Sequence, residues 1–261
     1  MGEAKRRRTD RTALRRLYAP SRPAPISKLI IPSGMGTPSR ETAFEAARIA
    51  EGIRARVRAA LVRASAGGSL ESVFDAIDSE VEACVADYEA AVAQAASFDV
   101  SRRAEMEGVA CRRGCAFCCF VNVDVTPLEA IRLARRASPA APGAVRPGRT
   151  PCALLADSAC SHYAIRPIVC RSVYSRDAGA CEAAFESTEA AASMPSLDWP
   201  RFLASGFLTG QVAALTDLRL EGHMVSLNEA LRVMTADRGA VVRWLNGADV
   251  FPRRAGQPQM S

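Results

Sequence analysis

Residues 70–95, LESVFDAIDSEVEACVADYEAAVAQA, decide the fold class of this 261-residue chain. Apolar side chains recur in this stretch at steps of three and four residues, which places them on one face of an α-helix. Ser69 stands directly before the pattern, where a serine side chain caps the first turn of a helix. The apolar stripe consists of Leu70, Val73, Phe74, Ile77, Val81, Cys84, Tyr88, Val92 and Ala95. The stretch therefore predicts an amphipathic helix.

Helical patterns also precede and follow this stretch. From Ser39 an apolar stripe runs to Gly67 and Gly68, which end it, so residues 39–100 are predicted to form an antiparallel helical pair. In TPLEAIRLARRAS, Thr126 stands at a cap position with a proline directly after it. Three further helices are predicted over Pro200–Leu220, residues 226–236 and residues 238–247.

No run of strand length alternates between apolar and polar residues, so the predicted fold class is mainly α, with an irregular cysteine-rich metal-binding centre. A loop rich in Pro, Gly and Ala is predicted at residues 138–151. The predicted organisation is a disordered basic N-terminal tail (1–38), the helical pair (39–100), a cysteine-cluster metal-binding domain (101–190) and C-terminal helices packing on it (191–255).

The net charge of +6 is concentrated at the N-terminus, because residues 1–16 contain seven basic and two acidic side chains. Nucleic acid is therefore not expected as a partner of the folded part. No stretch approaches the roughly 18 apolar residues of a membrane span, and no apolar segment typical of a secretion signal follows the basic start. We expect a cytoplasmic protein without membrane contact, in which nine cysteines indicate metal or redox chemistry rather than disulfides.

The cysteines divide by their surroundings. Cys84 lies in the apolar stripe of the first helix described above and is predicted to pack in the core. The other eight form two groups along the chain. The upstream group, in CRRGCAFCC, is Cys111, Cys115, Cys118 and Cys119, and the downstream group is Cys152, Cys160, Cys170 and Cys181.

Thiolates are soft ligands that select zinc, iron–sulfur clusters or copper(I). Cysteines two to four residues apart reach one metal when the chain turns tightly between them, and Gly114 allows such a turn. In an extended segment Cys118 and Cys119 would point to opposite sides, so they would serve different centres or only one of them would be a ligand. Two four-coordinate sites, or one site with spare redox-active thiols, both stay open.

The pattern of the eight cysteines resembles that of a known family. The pattern C-x3-C-x2-CC, a cysteine before Leu-Leu, then C-x2-Y-x2-RP-x2-CR and a final cysteine is similar to the bacterial cysteine-cluster family. That family is described as a zinc- or iron-chelating domain and often labelled an iron–sulfur oxidoreductase. The resemblance covers residues 111–181 and implies an iron–sulfur cluster, preferably of the four-iron type, or zinc. Its second half is reproduced by Cys160, Tyr163, Arg166, Pro167, Cys170 and Arg171, whereas His162 stands at a position where an apolar residue is expected.

The same module occurs in flagellin-lysine N-methylases, where it implies an iron–sulfur cluster beside a site for S-adenosylmethionine. A methyltransferase-like enzyme is therefore one alternative. A radical enzyme that uses S-adenosylmethionine is another, because Cys111, Cys115 and Cys118 with Phe117 have the local spacing of that superfamily. A structural zinc domain for protein or RNA contacts is the last. No nucleophile–base pair or carboxylate dyad stands out, so no catalytic residue and no particular protein or small-molecule partner is predicted.

Two arginines are candidate cofactor-binding residues. Arg166 and Arg171 could neutralise a thiolate-rich centre or anchor an anionic substrate. The alternative for both is a structural ion pair with an acidic neighbour. His162 could replace a thiolate in a mixed site or be a partly exposed loop histidine. The candidate ion-pair partners are Asp157, Asp177 and Glu182.

Overall fold

The computed structural model describes residues 17, 25–32, 35–137, 150–187 and 194–252. Most of the predicted tail and of the predicted loop at 138–151 lies outside these residues. The helices are α1 (Arg40–Ala66), α2 (Leu70–Phe98), α3 (Val100–Glu107), α4 (Pro127–Arg136), α5 (Ile168–Arg171), α6 (Ala178–Glu186), α7 (Asp198–Asp217), α8 (Leu227–Ala236) and α9 (Ala240–Leu245). The strands are β1 (Asp124–Val125), β2 (Leu155–Ala156), β3 (Ala159–Cys160) and β4 (Val225–Ser226). The prediction of a mainly α fold is confirmed.

The helix boundaries follow the local signals of the sequence. The Ser69 side chain accepts a hydrogen bond from the Ser72 amide at 3.0 Å at the start of α2. α1 ends just before Gly67, and Gly68 takes the left-handed conformation with φ +75° that a glycine adopts without strain. At α4, Thr126 forms the predicted cap, with a reciprocal hydrogen bond from its own amide to Glu129.

The most extensive helix packing joins α1 to α7 across more than 150 residues of sequence. Two glycines allow this approach. A Cβ atom at Gly206 would lie 2.6 Å from the Ala46 carbonyl oxygen, and one at Gly210 would lie 2.6 Å from the Ala50 carbonyl oxygen. The C-terminal helices were predicted to pack on the cysteine-rich domain; α7 contacts α5 of that domain, and its main partner is α1 of the helical pair.

A buried ion pair ties the same two helices together. Arg54 of α1 donates to both carboxylate oxygens of Asp217 in α7, at 2.8 and 2.7 Å. Both side chains are almost completely buried. Such a bidentate pair satisfies both buried charges. Each partner also has a second ion pair, Arg54 with Glu51 at 3.5 Å and Asp217 with Arg58 at 3.6 Å.

Cys84 lies in this core and is 0% exposed, as its place in the apolar stripe predicted. Burial raises its pKa to about 12, although the nearby Arg56 guanidinium opposes that rise. The Arg56 Nη2 atom lies 3.3 Å from its sulfur. At neutral pH Cys84 is therefore a neutral thiol that fills space in the helical core.

Short pairings attach the remaining segments. β1 and β4 pair antiparallel, which brings the start of α8 against the chain that follows the upstream cysteines. Within the predicted tail, the Ile30 amide donates to the Thr209 hydroxyl of α7 at 2.8 Å, and Leu17 is 1% exposed in the core. Among the helices of the described residues, none has the combined length and apolarity needed to cross a membrane.

Candidate metal centre

The upstream cysteines lie on a loop that turns tightly and is anchored to a distant segment. Gly114 has φ +94° within a turn closed by a 3.0 Å hydrogen bond from the Cys115 amide to the Arg112 carbonyl, as the sequence predicted. The Ser175 amide donates to the Cys111 sulfur at 3.1 Å. The loop therefore presents its first cysteine to the chain that leads into α6.

Cys118 and Cys119 lie in a 3-10 helix, Phe117–Phe120, rather than in an extended segment. The expectation that their side chains point to opposite sides is wrong, because successive side chains in a 3-10 helix diverge by about 120°. The two thiols share a hydrogen bond that lowers the pKa of Cys118 and raises the pKa of Cys119. Side chains that diverge by this angle let the two residues face different neighbours.

Cys181, the last cysteine in sequence, faces the upstream cysteines. It lies on α6, whose Phe185 ring packs on Phe117 and Phe120 with centroids 5.6 and 4.9 Å apart. Burial raises the pKa of Cys181, a hydrogen bond with Ser175 opposes this, and the charge of Cys115 adds to it. The aromatic contact therefore holds the α6 cysteine beside the upstream loop.

The charges that act on Cys111 come from the same group of cysteines. Burial raises the pKa of Cys111 most, the Ser175 amide lowers it, and the charges of three other cysteines raise it further. We define thiol set A as Cys111 with those three, namely Cys115, Cys118 and Cys181.

The other cysteines gather around Cys119. The Cys152 amide donates to the Cys119 carbonyl at 2.7 Å. From there the chain forms the β2–β3 hairpin, in which Cys160 pairs with Leu155. The two-residue turn at Asp157 and Ser158 has φ of +47° and +60°. These positive angles match the twist of a tight hairpin, which returns Cys160 to the level of Cys152.

Cys170, which lies on α5, is the last of the cysteines around Cys119. Burial raises its pKa well above the ordinary value, and the charges of Cys152, Cys118 and Cys160 raise it further. For Cys119, the raised pKa arises from the Cys118 hydrogen bond, burial and the charges of Cys118, Cys152 and Cys170. We define thiol set B as Cys119, Cys152, Cys160 and Cys170.

Asn228 positions Cys152, and sequence reasoning missed it. Its side-chain oxygen accepts from the Ala153 amide at 2.8 Å, and its side-chain nitrogen donates to the Pro151 carbonyl at 2.9 Å. The Asn228 side chain of α8 thus holds the backbone on both sides of Cys152 by hydrogen bonds. An asparagine inside a helical pattern gives no signal of a partner about 75 residues away.

Glu129 positions the helix that carries Cys170. Its carboxylate accepts from the Ile168 amide at 2.8 Å and from the Thr126 amide at 3.1 Å. Burial raises the pKa of Glu129, and these hydrogen bonds oppose the rise. Glu129 lies in the first turn of α4 and completes its cap, but its bond to α5 depends on tertiary structure.

Arg166 is the cation of the centre. Its guanidinium carbon lies 3.6 Å from the centre of the Tyr163 ring, and its buried Nε has no hydrogen-bond partner. Its charge acts to lower the pKa of Cys118 and of Cys170, one thiol from each set. A buried donor without an acceptor beside thiols fits an anionic group at this place.

Arg171 has a different part in the fold. Its Nε donates to the Arg166 carbonyl at 2.9 Å, and its two terminal nitrogens bind Glu89 of α2 and the Ala164 carbonyl. Arg171 therefore forms a structural ion pair, the predicted alternative to cofactor binding, but its partner is Glu89 and not Asp157, Asp177 or Glu182. His162 Nδ1 shares a 2.8 Å hydrogen bond with the Ser161 hydroxyl.

All nine cysteines are free thiols. The structure thus brings both sequence groups into one region without a disulfide. In the described part of the chain, no three or more His, Cys, Asp or Glu side chains are arranged to hold a metal ion as they stand. Ligation would require the thiols to rotate about their side-chain bonds toward a common point.

Comparison with known proteins adds no relative. No family model matches the sequence, and no curated protein or solved structure matches it either.

Proposed function

We propose that this chain is a cytoplasmic metal-binding protein of the cysteine-cluster type, with an iron–sulfur cluster held by clustered thiolates and a redox role. The observation that carries the proposal is the convergence of eight free thiols from two distant stretches of sequence. Each of the two stretches is held there by backbone hydrogen bonds and buried side chains rather than by disulfides. A chain that gathers reduced thiols in this way presents the ligand type that binds thiophilic metals.

The charge balance supports an anionic occupant. Several thiols of the centre have raised pKa values because they are buried beside one another. A bound metal ion removes this penalty, because it deprotonates a coordinating thiol and compensates its charge. The unpartnered Nε of Arg166 can donate to sulfur of such a centre. When bound, an iron–sulfur cluster supplies one-electron redox chemistry, which the cysteines alone do not provide.

The position of Cys181 argues against the S-adenosylmethionine alternatives. An enzyme that binds a cosubstrate at its metal keeps one coordination position open, whereas four protein ligands close the site. Cys181 lies beside Cys115 and Cys118 and supplies a fourth thiol to the C-x3-C-x2-C loop. This favours a closed centre over a radical or methyl-transfer site.

Anaerobic purification followed by iron, zinc and acid-labile sulfide assays tests the proposal. We expect iron and sulfide in about equal amounts, together with a visible absorption band that bleaches on reduction. Zinc without sulfide would favour the structural zinc domain, and a spectral change on adding S-adenosylmethionine would restore the enzyme alternatives. A protein free of iron and zinc after anaerobic reconstitution with each metal would refute the proposal.

A further inference from the structure

We infer that the eight thiols form two four-thiolate centres, one from thiol set A and one from thiol set B, with the boundary between Cys118 and Cys119. This inference rests on the proposed metal-binding function and specifies its ligands. Each centre would take one four-iron cluster or one zinc ion, since both accept four thiolates.

The members of set A come together because the chain at Ser175 lies against Cys111, the first cysteine of the upstream group. The Ala110 amide donates to the Ser175 carbonyl at 2.8 Å, and the Ser175 amide donates to the Cys111 sulfur at 3.1 Å. The α6 helix begins three residues later and carries Cys181 back over the 3-10 helix, where Phe185 packs. The geometry therefore unites the upstream loop with the last cysteine of the sequence.

Set B is assembled on the other side of the 3-10 helix. The backbone bond between Cys152 and Cys119 fixes the first two members next to each other. The β2–β3 hairpin then places Cys160 opposite Leu155. Cys170 lies on α5, which is held by the hydrogen bond from the Ile168 amide to Glu129. Cys152, Cys160 and Cys170 are thus placed by contacts that involve no residue of set A.

The division differs from the one along the sequence. Each set takes three cysteines from one sequence group and one from the other. Cys119 leaves the upstream group, and Cys181 leaves the downstream group. A centre built from sequence neighbours alone would pair Cys181 with Cys170, so the two divisions predict different behaviour for the same variants.

Single Cys→Ser variants test the inference, with metal and sulfide counted per chain. The wild type is expected to hold two centres, which is about eight iron atoms with about eight sulfides, or about two zinc ions. Cys115→Ser and Cys160→Ser should each lose about half, and the double variant nearly all. Cys84→Ala is the matched control and should keep the full amount.

Pairs of variants then separate the two divisions. Cys181→Ser combined with Cys115→Ser should lose no more metal than either alone, because both belong to set A. Cys181→Ser combined with Cys160→Ser should lose nearly all. The reverse pattern, or complete loss in every single variant, would overturn the division into sets A and B while leaving metal binding itself intact. A wild type without metal would instead refute the proposed function.

A variant that keeps every thiol guards against misfolding of the serine variants. Asn228→Ala removes the two hydrogen bonds to the backbone around Cys152, and neither bond involves a residue of set A. Its metal should leave in two phases when a chelator is added, with about half of the total released severalfold faster than from the wild type. Uniform acceleration of the whole release would contradict two separate centres.

Discussion

The helical scaffold of α1, α2 and α7 and the cysteine-rich centre of residues 108–181 are held together by different means. The scaffold buries continuous apolar stripes and lets two helix backbones touch at Gly206 and Gly210. Apart from α4, the described part of the centre consists of two-residue strands and short helical segments joined by single hydrogen bonds.

Cysteine behaves accordingly in the two regions. In the scaffold, Cys84 is fully buried among apolar side chains and is a neutral thiol. In the centre, most cysteines are partly exposed and lie beside other thiols. The same residue is therefore core material where helices pack, and a candidate ligand where little apolar surface is buried. Metal ligation would supply folding free energy that the centre lacks, on the order of 10 kcal/mol for a structural zinc site.

The largest expected effect concerns the scaffold. Gly210→Ala should lower the free energy of unfolding by about 3 kcal/mol, because its Cβ would lie 2.6 Å from the Ala50 carbonyl oxygen and from the Ile53 Cβ. Gly52→Ala is the control. It lies in α1 with open space around it and should stabilise by about 0.5–1 kcal/mol through helix propensity. Urea denaturation measures both, and an unchanged stability of Gly210→Ala would disprove the close helix contact.

A substitution at Glu129, which joins α4 to α5, should lower the free energy of unfolding by less than Gly210→Ala does. Glu129→Gln replaces one carboxylate oxygen with an NH2 group, which then faces an amide donor of Ile168 or Thr126. We expect a loss of about 2 kcal/mol in the free energy of unfolding. Glu71→Gln, at an exposed ion pair with Arg135, should change it by less than about 1 kcal/mol. Equal effects of the two variants would show that Glu129 does not hold α5.

Substitutions of Arg171 and Arg166 should differ in their effects: the first on the free energy of unfolding, the second on metal retention. Arg171→Gln should cost about 1.5 kcal/mol of unfolding free energy, because it removes the bonds to Glu89 and to the Ala164 carbonyl. It should leave the rate of metal release unchanged. Arg166→Gln should instead release metal about tenfold faster, the equivalent of one charge-assisted hydrogen bond of about 1.4 kcal/mol. If Arg171→Gln accelerates release as much as Arg166→Gln, the assignment of Arg166 as the cation of the centre is wrong.

The smallest expected effect is at the scaffold cysteine. Cys84→Ala should lower the free energy of unfolding by about 1 kcal/mol or less, since only a small buried group is removed. Metal content should not change, whereas Cys181→Ala should lose metal. The comparison of the two regions fails if Cys84→Ala abolishes metal binding and Cys181→Ala retains it.

Local signals allowed the sequence to predict much of the scaffold. The caps at Ser69 and Thr126, the glycine end of α1 and the burial of Cys84 all depend on residues within a few positions of each other. The turn at Gly114 belongs to the same class, because its positive φ is a property of one residue. Such features follow from helix periodicity and backbone sterics without knowledge of the tertiary structure.

Long-range contacts could not be predicted in this way. The spacing of Gly206 and Gly210 by one helical turn was a readable signal of close packing, but nothing local named α1 as the partner. The clamp of Asn228 and the return of Cys181 join residues that are about 75 and more than 60 positions apart. For Cys118 and Cys119 the error was conformational, because an extended backbone was assumed where a 3-10 helix forms.

We propose that eight cysteines from two sequence stretches bind metal, while the ninth is core material. Thiol-specific alkylation of the anaerobically purified protein, mapped by mass spectrometry before and after a chelator removes the metal, tests it most directly. We expect all eight to be protected at first, and the seven that are at least partly exposed to become reactive after chelation, whereas Cys84, buried and neutral, stays unreactive in both samples. Equal reactivity of the eight thiols before and after chelation would contradict the claim.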